Sequence, residues 1–403
     1  MVLPFLVRQI TVYASVIGLS LFIGHKASPQ NYALFNLVNS FFGMSYIICD
    51  FGFGKAAIRC GYIVNRNMLN IISRINFMIG VVFAILIFSI LSTYSKFFSA
   101  PLIISFFVLS ASLSISSFYR LESNQRFDLI GKAEIFQIVL YIFTFFMLFF
   151  ISNNVILSIV GSSIVRSLFI PLSYYYFSRN IISAYNNSNV LEIKDIIKLF
   201  LDGLQYQASQ LVFISKDIIL LYVLSFRLSS IDQGFVAMAQ TYSLLPILFV
   251  GPISRILLPK LSVRSNDMLN FKLVSKYSIL LGLFSIIASI ILYFSFPFFD
   301  IMVFDGKYSS SYSLIKLMVI ANVFTLFSIP IVSLLSVLLG YRVYFLYAVF
   351  CVSLTWVMAL IFPVQKIEDY ATPMLSGHAV NIFVVILFYI YSKRKATKEN
   401  YAA

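Results

Sequence analysis

The chain has 403 residues, of which 60% are apolar and only 11% are charged, and its mean hydropathy is +0.94. Soluble globular domains carry far more charge, so the composition excludes that class and indicates a membrane protein. The net charge of +14 does not indicate nucleic-acid binding, because few of the cations form a dense basic arm with interleaved aromatic residues. The three cysteines lack paired spacing, which predicts neither a disulfide framework nor a metal site.

Long apolar runs recur along the whole chain, and most are long enough to cross the ~30 Å hydrocarbon core of a bilayer as a helix. They predict an all-α, polytopic membrane protein with about twelve transmembrane helices. The first run continues past Gly18 without a cleavage site, which argues against a removable signal peptide. The predicted spans are residues 4–24, 32–54, 75–95, 101–119, 134–152, 155–178, 196–225, 233–257, 274–296, 311–339, 343–363 and 371–391.

Lys and Arg residues are distributed unevenly between the two sides of the predicted membrane. With the N-terminus placed inside, 21 of the 29 cations fall in inner segments, five fall in outer loops and three lie within spans. An excess of cations in short loops marks the cytoplasmic side. The sequence therefore predicts that both termini are cytoplasmic, which agrees with an even number of spans.

The connections between spans are short, and no G-x-x-x-x-G-K-[ST] phosphate loop occurs in the sequence. We therefore expect a transporter that does not hydrolyse ATP itself, and no enzyme. A weak repeat with a shift near 201 places Ser28 over Ser229 and Asn31 over Asp232. The sequence thus predicts an N-terminal six-helix lobe (1–180), a cytoplasmic linker (181–195), a C-terminal six-helix lobe (196–392) and a basic tail (393–403), an architecture found in transporters.

The seventh span carries polar residues on one side of an otherwise apolar helix. At ~100° per residue, five of its side chains fall within roughly 60° of arc. Such a stripe should face protein or a wet cavity, because a charge at the bilayer centre costs at least ~2.5 kcal/mol. The stripe consists of Lys198, Asp202, Gln205, Ser209 and Lys216.

Other charged residues lie in or beside spans. Arg166 falls near the middle of span six and, like Lys216, is too deep to reach the headgroups easily, whereas Lys316 and Arg8 lie near span ends, where snorkelling is the alternative reading. Buried cations with few carboxylates favour an anion, and a diphosphate is a strong one. Asp50 and Asp217, with Asp202, are candidates for structural or ion-coupling roles.

Four segments of the sequence are recognisable: ASPQNYALFNLV, DFGFGKAAI, GLQYQASQLVFISKDIILL and GPISRILLPKLS. They resemble the Wzx-type flippases of O-antigen and other polysaccharide repeat units, within the multidrug/oligosaccharidyl-lipid/polysaccharide (MOP) exporter superfamily. The resemblance covers nearly the whole chain in size and span number, and its local matches are moderately specific.

This resemblance implies two six-helix lobes around a central, often cationic cavity. It also implies that an undecaprenyl-diphosphate-linked oligosaccharide moves from the cytoplasmic to the periplasmic leaflet of a bacterial inner membrane by alternating access. The family's cation in span seven matches Lys216, and its acidic end of span two matches Asp50. We expect no cofactor; coupling to H⁺ or Na⁺ stays open. Implied partners are lipid, a polysaccharide polymerase and a chain-length regulator, and no nucleic acid.

Two rival functions fit the class of protein. A multidrug or toxin extruder of the same superfamily would need an acidic cavity for cationic substrates, whereas Arg8, Arg166 and Lys216 are basic. A repeat-unit polymerase would need a large outer loop, and the longest predicted outer connection has about 14 residues. The flippase is therefore the favoured function.

Overall fold

A computed structural model describes most of the chain. The described residues are 2–49, 66–94, 99–124, 126–179, 181, 197, 201, 203–204, 207–216, 220, 227–243, 245–246, 267–338, 341–362 and 364–402. Asp50, Asp202, Gln205 and Asp217 lie outside them, as do the segments DFGFGKAAI and GPISRILLPKLS.

The described residues form an all-α structure without strands, which confirms the predicted fold class. Each of the twelve predicted spans overlaps a helix, and the seventh is represented by helical residues 207–216. The other helices are α1 (Val2–Lys26), α2 (Pro29–Cys49), α3 (Arg66–Tyr94), α4 (Ala100–Ser123), α5 (Phe127–Ser152), α6 (Val155–Ser178), α7 (Ser230–Ser243), α8 (Asp267–Phe304), α9 (Tyr312–Leu338), α10 (Tyr341–Ile361) and α11 (Ala371–Ala402).

Several helices are longer than the predicted spans. Helix α8 has 38 residues, or about 57 Å at ~1.5 Å per residue, so it exceeds the thickness of a bilayer. It includes Lys272, which the sequence placed in an inner connection, and residues 297–304, which it placed in an outer one. Helix α3 likewise begins at Arg66 and not at residue 75. Hydropathy detects the apolar part of a helix, whereas the hydrogen-bonded backbone continues into its polar ends.

The chain forms two compact units. The first contains Met1–Ala27 and Leu34–Leu211, and the second contains Ser28–Ala33 and Val212–Ala403. Most of the predicted linker, 181–195, lies outside the described residues, so the predicted lobe boundaries stay a prediction. Residues 393–402, predicted as a basic tail, continue helix α11.

Both units show the same order of helix packing. In the first unit, α3 packs on α4, α4 on α6, and α5 on α6. In the second unit, α8 packs on α9, α9 on α11, and α10 on α11. These helices correspond to spans three to six and nine to twelve, so one packing order occurs in both units. The six-plus-six division stays a prediction.

The two aligned serines begin equivalent helices. The Ser28 hydroxyl accepts a hydrogen bond from the Asn31 amide at 3.4 Å, and the Ser229 hydroxyl accepts one from the Asp232 amide at 3.1 Å. Each serine therefore caps a helix N-terminus, where backbone amides have no partner inside the helix. The Asp232 carboxylate also accepts a hydrogen bond from the Ser229 hydroxyl at 2.7 Å.

Eight helices in the described part of the chain are long and apolar enough to cross a membrane, from α3 to α6 and from α8 to α11. In the most apolar 18-residue stretches of α3 and α8, only 17% and 28% of the residues are buried inside the protein. Exposed apolar side chains such as Met78, Ile85, Leu283 and Ile291 are expected to contact lipid. The protein is therefore a multi-pass membrane protein.

Candidate functional site

The predicted site residues differ in what the structure shows of them. Arg166, Ser209, Lys216 and Lys316 have described side chains. Arg8 lies on helix α1, but its side chain is outside the described part. The roles of the other predicted site residues stay predictions, because these residues lie outside the described part of the chain: Gln205, Asp50, Asp202 and Asp217.

Arg166 lies at the middle of helix α6. The helix is capped by Asn154, whose side chain accepts a hydrogen bond from the Leu157 amide at 3.1 Å. Arg166 is the twelfth of its 24 residues, and only 8% of its surface is exposed. A guanidinium is thus enclosed halfway along a helix that can span the membrane.

Aromatic side chains surround the Arg166 guanidinium. Its Cζ lies 3.7 Å from the ring centroid of Phe42 on α2 and 4.8 Å from that of Tyr141 on α5. Tyr46 and Tyr174 also interact with its charge. An aromatic face attracts a cation by up to about 2 kcal/mol or more when water is excluded, so the rings stabilise the buried charge.

Arg166 forms no ion pair with any carboxylate of the described residues. Its Nε atom is buried and has no hydrogen-bond partner. Burying a cation costs several kcal/mol after relaxation, and an unmatched donor adds about 1–3 kcal/mol. The site is therefore incomplete on electrostatic grounds, and an anionic group would complete it.

Lys216 lies in the second unit and is half-buried. The preceding residue, Ser215, accepts a hydrogen bond at 2.9 Å from the indole of Trp356 on α10. Phe213 packs against the rings of Tyr344 and Tyr347 at 6.1 and 5.8 Å. These contacts fix helical residues 212–216 against α10.

Ser209 precedes Lys216 by seven residues, about two helical turns, which places the two residues on one side of the helix. Ser209 is fully buried, and so is nearby Gln207, which the sequence analysis did not select. Lys316 is exposed in the first turns of α9, where its position fits the snorkelling alternative.

The structure adds functional candidates that sequence reasoning missed. Sequence reasoning does not select Phe42 and Tyr141, because only the folded chain brings them to Arg166. Among the described residues, Asp300 is another buried ionisable side chain, with 2% of its surface exposed. Its carboxylate accepts a hydrogen bond from the Tyr308 amide at 3.0 Å. This bond stabilises the turn after α8, so Asp300 has a structural role.

Comparisons with known proteins agree with a transporter fold. A family model described as polysaccharide biosynthesis protein matches residues 27–303, more than half of the chain. No curated protein matches the chain in sequence.

Solved structures of transporters share the fold along nearly the whole chain. The lipid II flippase MurJ in an inward closed conformation matches with a TM-score of 0.71 and 15% identity, covering 98% of this chain and 90% of that one. An outward-facing MATE multidrug transporter of the MOP superfamily gives a TM-score of 0.66 at 12% identity, covering 100% and 96%. An inward-facing one gives 0.68 at 10% identity, covering 98% of both chains.

Proposed function

We propose that this chain, which belongs to the polysaccharide biosynthesis protein family, is a flippase for an undecaprenyl-diphosphate-linked oligosaccharide. The cargo is an O-antigen or related repeat unit of the Wzx type, moved from the cytoplasmic to the periplasmic leaflet of a bacterial inner membrane. The family match and a fold shared with a lipid II flippase support this proposal. Both termini are proposed to be cytoplasmic.

The observation that carries the proposal is the buried Arg166 without a carboxylate partner among the described residues. A polyprenyl diphosphate brings the negative charge that this guanidinium lacks, and Arg binds phosphate oxygens well because its donors form a planar fork. Tyrosine hydroxyls near the guanidinium suit the sugars attached to the diphosphate. The prenyl tail can remain in lipid while the polar head passes the protein.

Other residues are proposed to assist. Lys216 offers a second charge to the head group, with Ser209 and Gln205 as hydrogen-bonding neighbours and with Arg8 and Lys316 at the two membrane surfaces. The head group is proposed to cross the membrane by alternating access, without ATP hydrolysis by this chain. If H⁺ or Na⁺ drives the cycle, Asp50, Asp202 and Asp217 are the proposed carriers. A polymerase and a chain-length regulator are proposed partners.

Reconstituted vesicles test this function directly. The purified chain should move a labelled polyprenyl-diphosphate oligosaccharide to the opposite leaflet, as measured by its accessibility to an impermeant enzyme. Arg166→Gln should lower the rate by at least about 10-fold, since it removes a charge-assisted interaction of ~1.5–3 kcal/mol. Arg179→Gln is the matched control, because Arg179 is the exposed C-cap of the same helix. Equal rates for the two variants would refute the role of Arg166.

A multidrug extruder is the second candidate, because MATE transporters share the fold. Cationic drugs are poorly matched by a buried guanidinium, which repels like charge. Expression of this chain should therefore leave resistance to cationic drugs unchanged, while its deletion should trap lipid-linked repeat units on the cytoplasmic leaflet. A raised resistance without accumulation would favour the extruder.

A further inference from the structure

Three hydrogen-bond donors without partners lie together in the first unit. The Tyr141 hydroxyl, the Ser163 hydroxyl and Arg166 Nε are all buried and unpaired. The exposed fraction is 1% for Tyr141, 0% for Ser163 and 8% for Arg166. Unsatisfied buried groups are uncommon in folded proteins, so three in one place call for an explanation.

These donors come from two adjacent helices. Ser163 precedes Arg166 by three residues on α6, so both side chains lie on the same face. Tyr141 is on α5, and its ring lies beneath the guanidinium. Its hydroxyl is near those of Ser162 and Ser163 and near the Asn39 side chain, but the Tyr141 and Ser163 hydroxyls do not have hydrogen-bond geometry towards each other.

The chemistry of the three groups indicates which class of ligand they can bind. A guanidinium N–H can only donate, and hydroxyls can donate at the same time. An oxyanion accepts from all three and also neutralises the guanidinium, whereas a cation or an apolar group leaves them unpaired. Glu134, a half-buried carboxylate on α5, lies seven residues before Tyr141, or about 10 Å along the helix axis. Its charge acts on Tyr46, but it does not form an ion pair with Arg166.

Helix α2 lies beside the cluster. Asn39, Phe42, Gly43 and Tyr46 recur at the three- and four-residue spacing of one helix face. Asn39, Phe42 and Tyr46 are half-buried, and Gly43 is exposed with open space where a Cβ would stand. Phe42, Asn39 and Tyr46 of α2 therefore lie against the cluster.

We propose that Tyr141, Ser163 and Arg166 form an oxyanion subsite, which binds one phosphoryl group of a diphosphate. This inference rests on the proposed function, because the diphosphate is that of the cargo. Tyr141 and Ser163 bind the same oxyanion as Arg166 and so distinguish a phosphoryl group from a simple counter-ion such as chloride.

Ligand-dependent thermal unfolding of the full chain in detergent tests the subsite. Inorganic diphosphate and geranylgeranyl diphosphate should raise the melting temperature, whereas chloride and phosphatidylglycerol should not. Tyr141→Phe and Ser163→Ala should each weaken the Kd of geranylgeranyl diphosphate about 10-fold, as expected for one hydrogen bond to a charged group. Arg166→Lys keeps the charge but removes Nε, and should also weaken it.

Ser167→Ala is the matched control, since Ser167 is buried on the same helix and its hydroxyl already donates to the Ile164 carbonyl. Its Kd should equal that of the wild type. Unchanged binding in both Tyr141→Phe and Ser163→Ala, or stabilisation by phosphatidylglycerol alone, would overturn the subsite. Binding is measured without transport, so the two proposals can fail separately. A protein that binds diphosphate but does not flip lipid supports the subsite and refutes the proposed function. A protein that flips lipid but does not bind diphosphate refutes only the subsite.

Discussion

Replacing Arg166 by methionine separates a functional cation from a structural one. Methionine keeps a long, unbranched side chain that can pack between the rings of Phe42 and Tyr141. It removes the charge and the unpaired Nε donor together. If Arg166 is present to bind an anion, the substitution should abolish transport without weakening the fold.

The size of the effect follows from the contacts. Two cation–π contacts contribute about 4 kcal/mol if each is worth about 2 when desolvated. Against this stand several kcal/mol for burying an uncompensated cation and about 1–3 kcal/mol for the unmatched donor. Methionine contacts with the rings recover about 0.3–1.5 kcal/mol. We therefore expect a change in unfolding free energy between 0 and about 3 kcal/mol in favour of the variant.

Thermal unfolding in detergent and lipid flipping in vesicles measure the two effects. Arg120→Met is the structural control, because the Arg120 guanidinium donates to the Ile181 carbonyl at 2.7 Å and that carbonyl would lose its partner. This control should melt earlier than the wild type and still flip lipid. If Arg166→Met melts as early as Arg120→Met and retains flipping, Arg166 is a structural residue and our reasoning fails.

Three further substitutions test the fold by thermal melting. Gly234→Ala should destabilise the protein at the upper end of the ~1–3 kcal/mol range for overpacking, because its Cβ would meet the backbone of Pro29, with Cα 2.7 Å away; an unchanged melt would contradict this close approach. Gly43→Ala should instead stabilise helix α2 by up to ~1 kcal/mol, since nothing lies within 4 Å of the new Cβ. Ser229→Ala should cost about 1 kcal/mol through loss of the cap on the Asp232 amide, and no loss would show that the cap is dispensable.

Apolar run length made the all-α fold predictable. A segment of about 20 apolar residues has few stable alternatives to a membrane-spanning helix, because its backbone N–H and C=O groups find no water in lipid and must hydrogen-bond to each other within the segment. The same rule placed the helix ends poorly, as α3 and α8 show. Charged residues at the ends of these helices lower the hydropathy but still favour helical backbone, so the boundary in hydropathy is not the boundary of the helix.

The candidate site was predictable only in part. Arg166 could be selected because a cation in the middle of an apolar run is costly and therefore conspicuous. Phe42, Tyr141 and Ser163 could not, because aromatic and hydroxyl residues are common in all the spans. Their role depends on which of these many residues lie against one guanidinium.

The sequence by itself determined the class of this protein, its helical content and the position of Arg166 near the middle of a span, since these depend on local composition and on the cost of charge in lipid. Only the tertiary structure decided what surrounds that cation. It brings aromatic rings from α2 and α5 against Arg166, leaves three donors without acceptors, and provides no carboxylate partner within the described residues. Such an arrangement depends on packing between helices far apart in sequence, which no local pattern encodes.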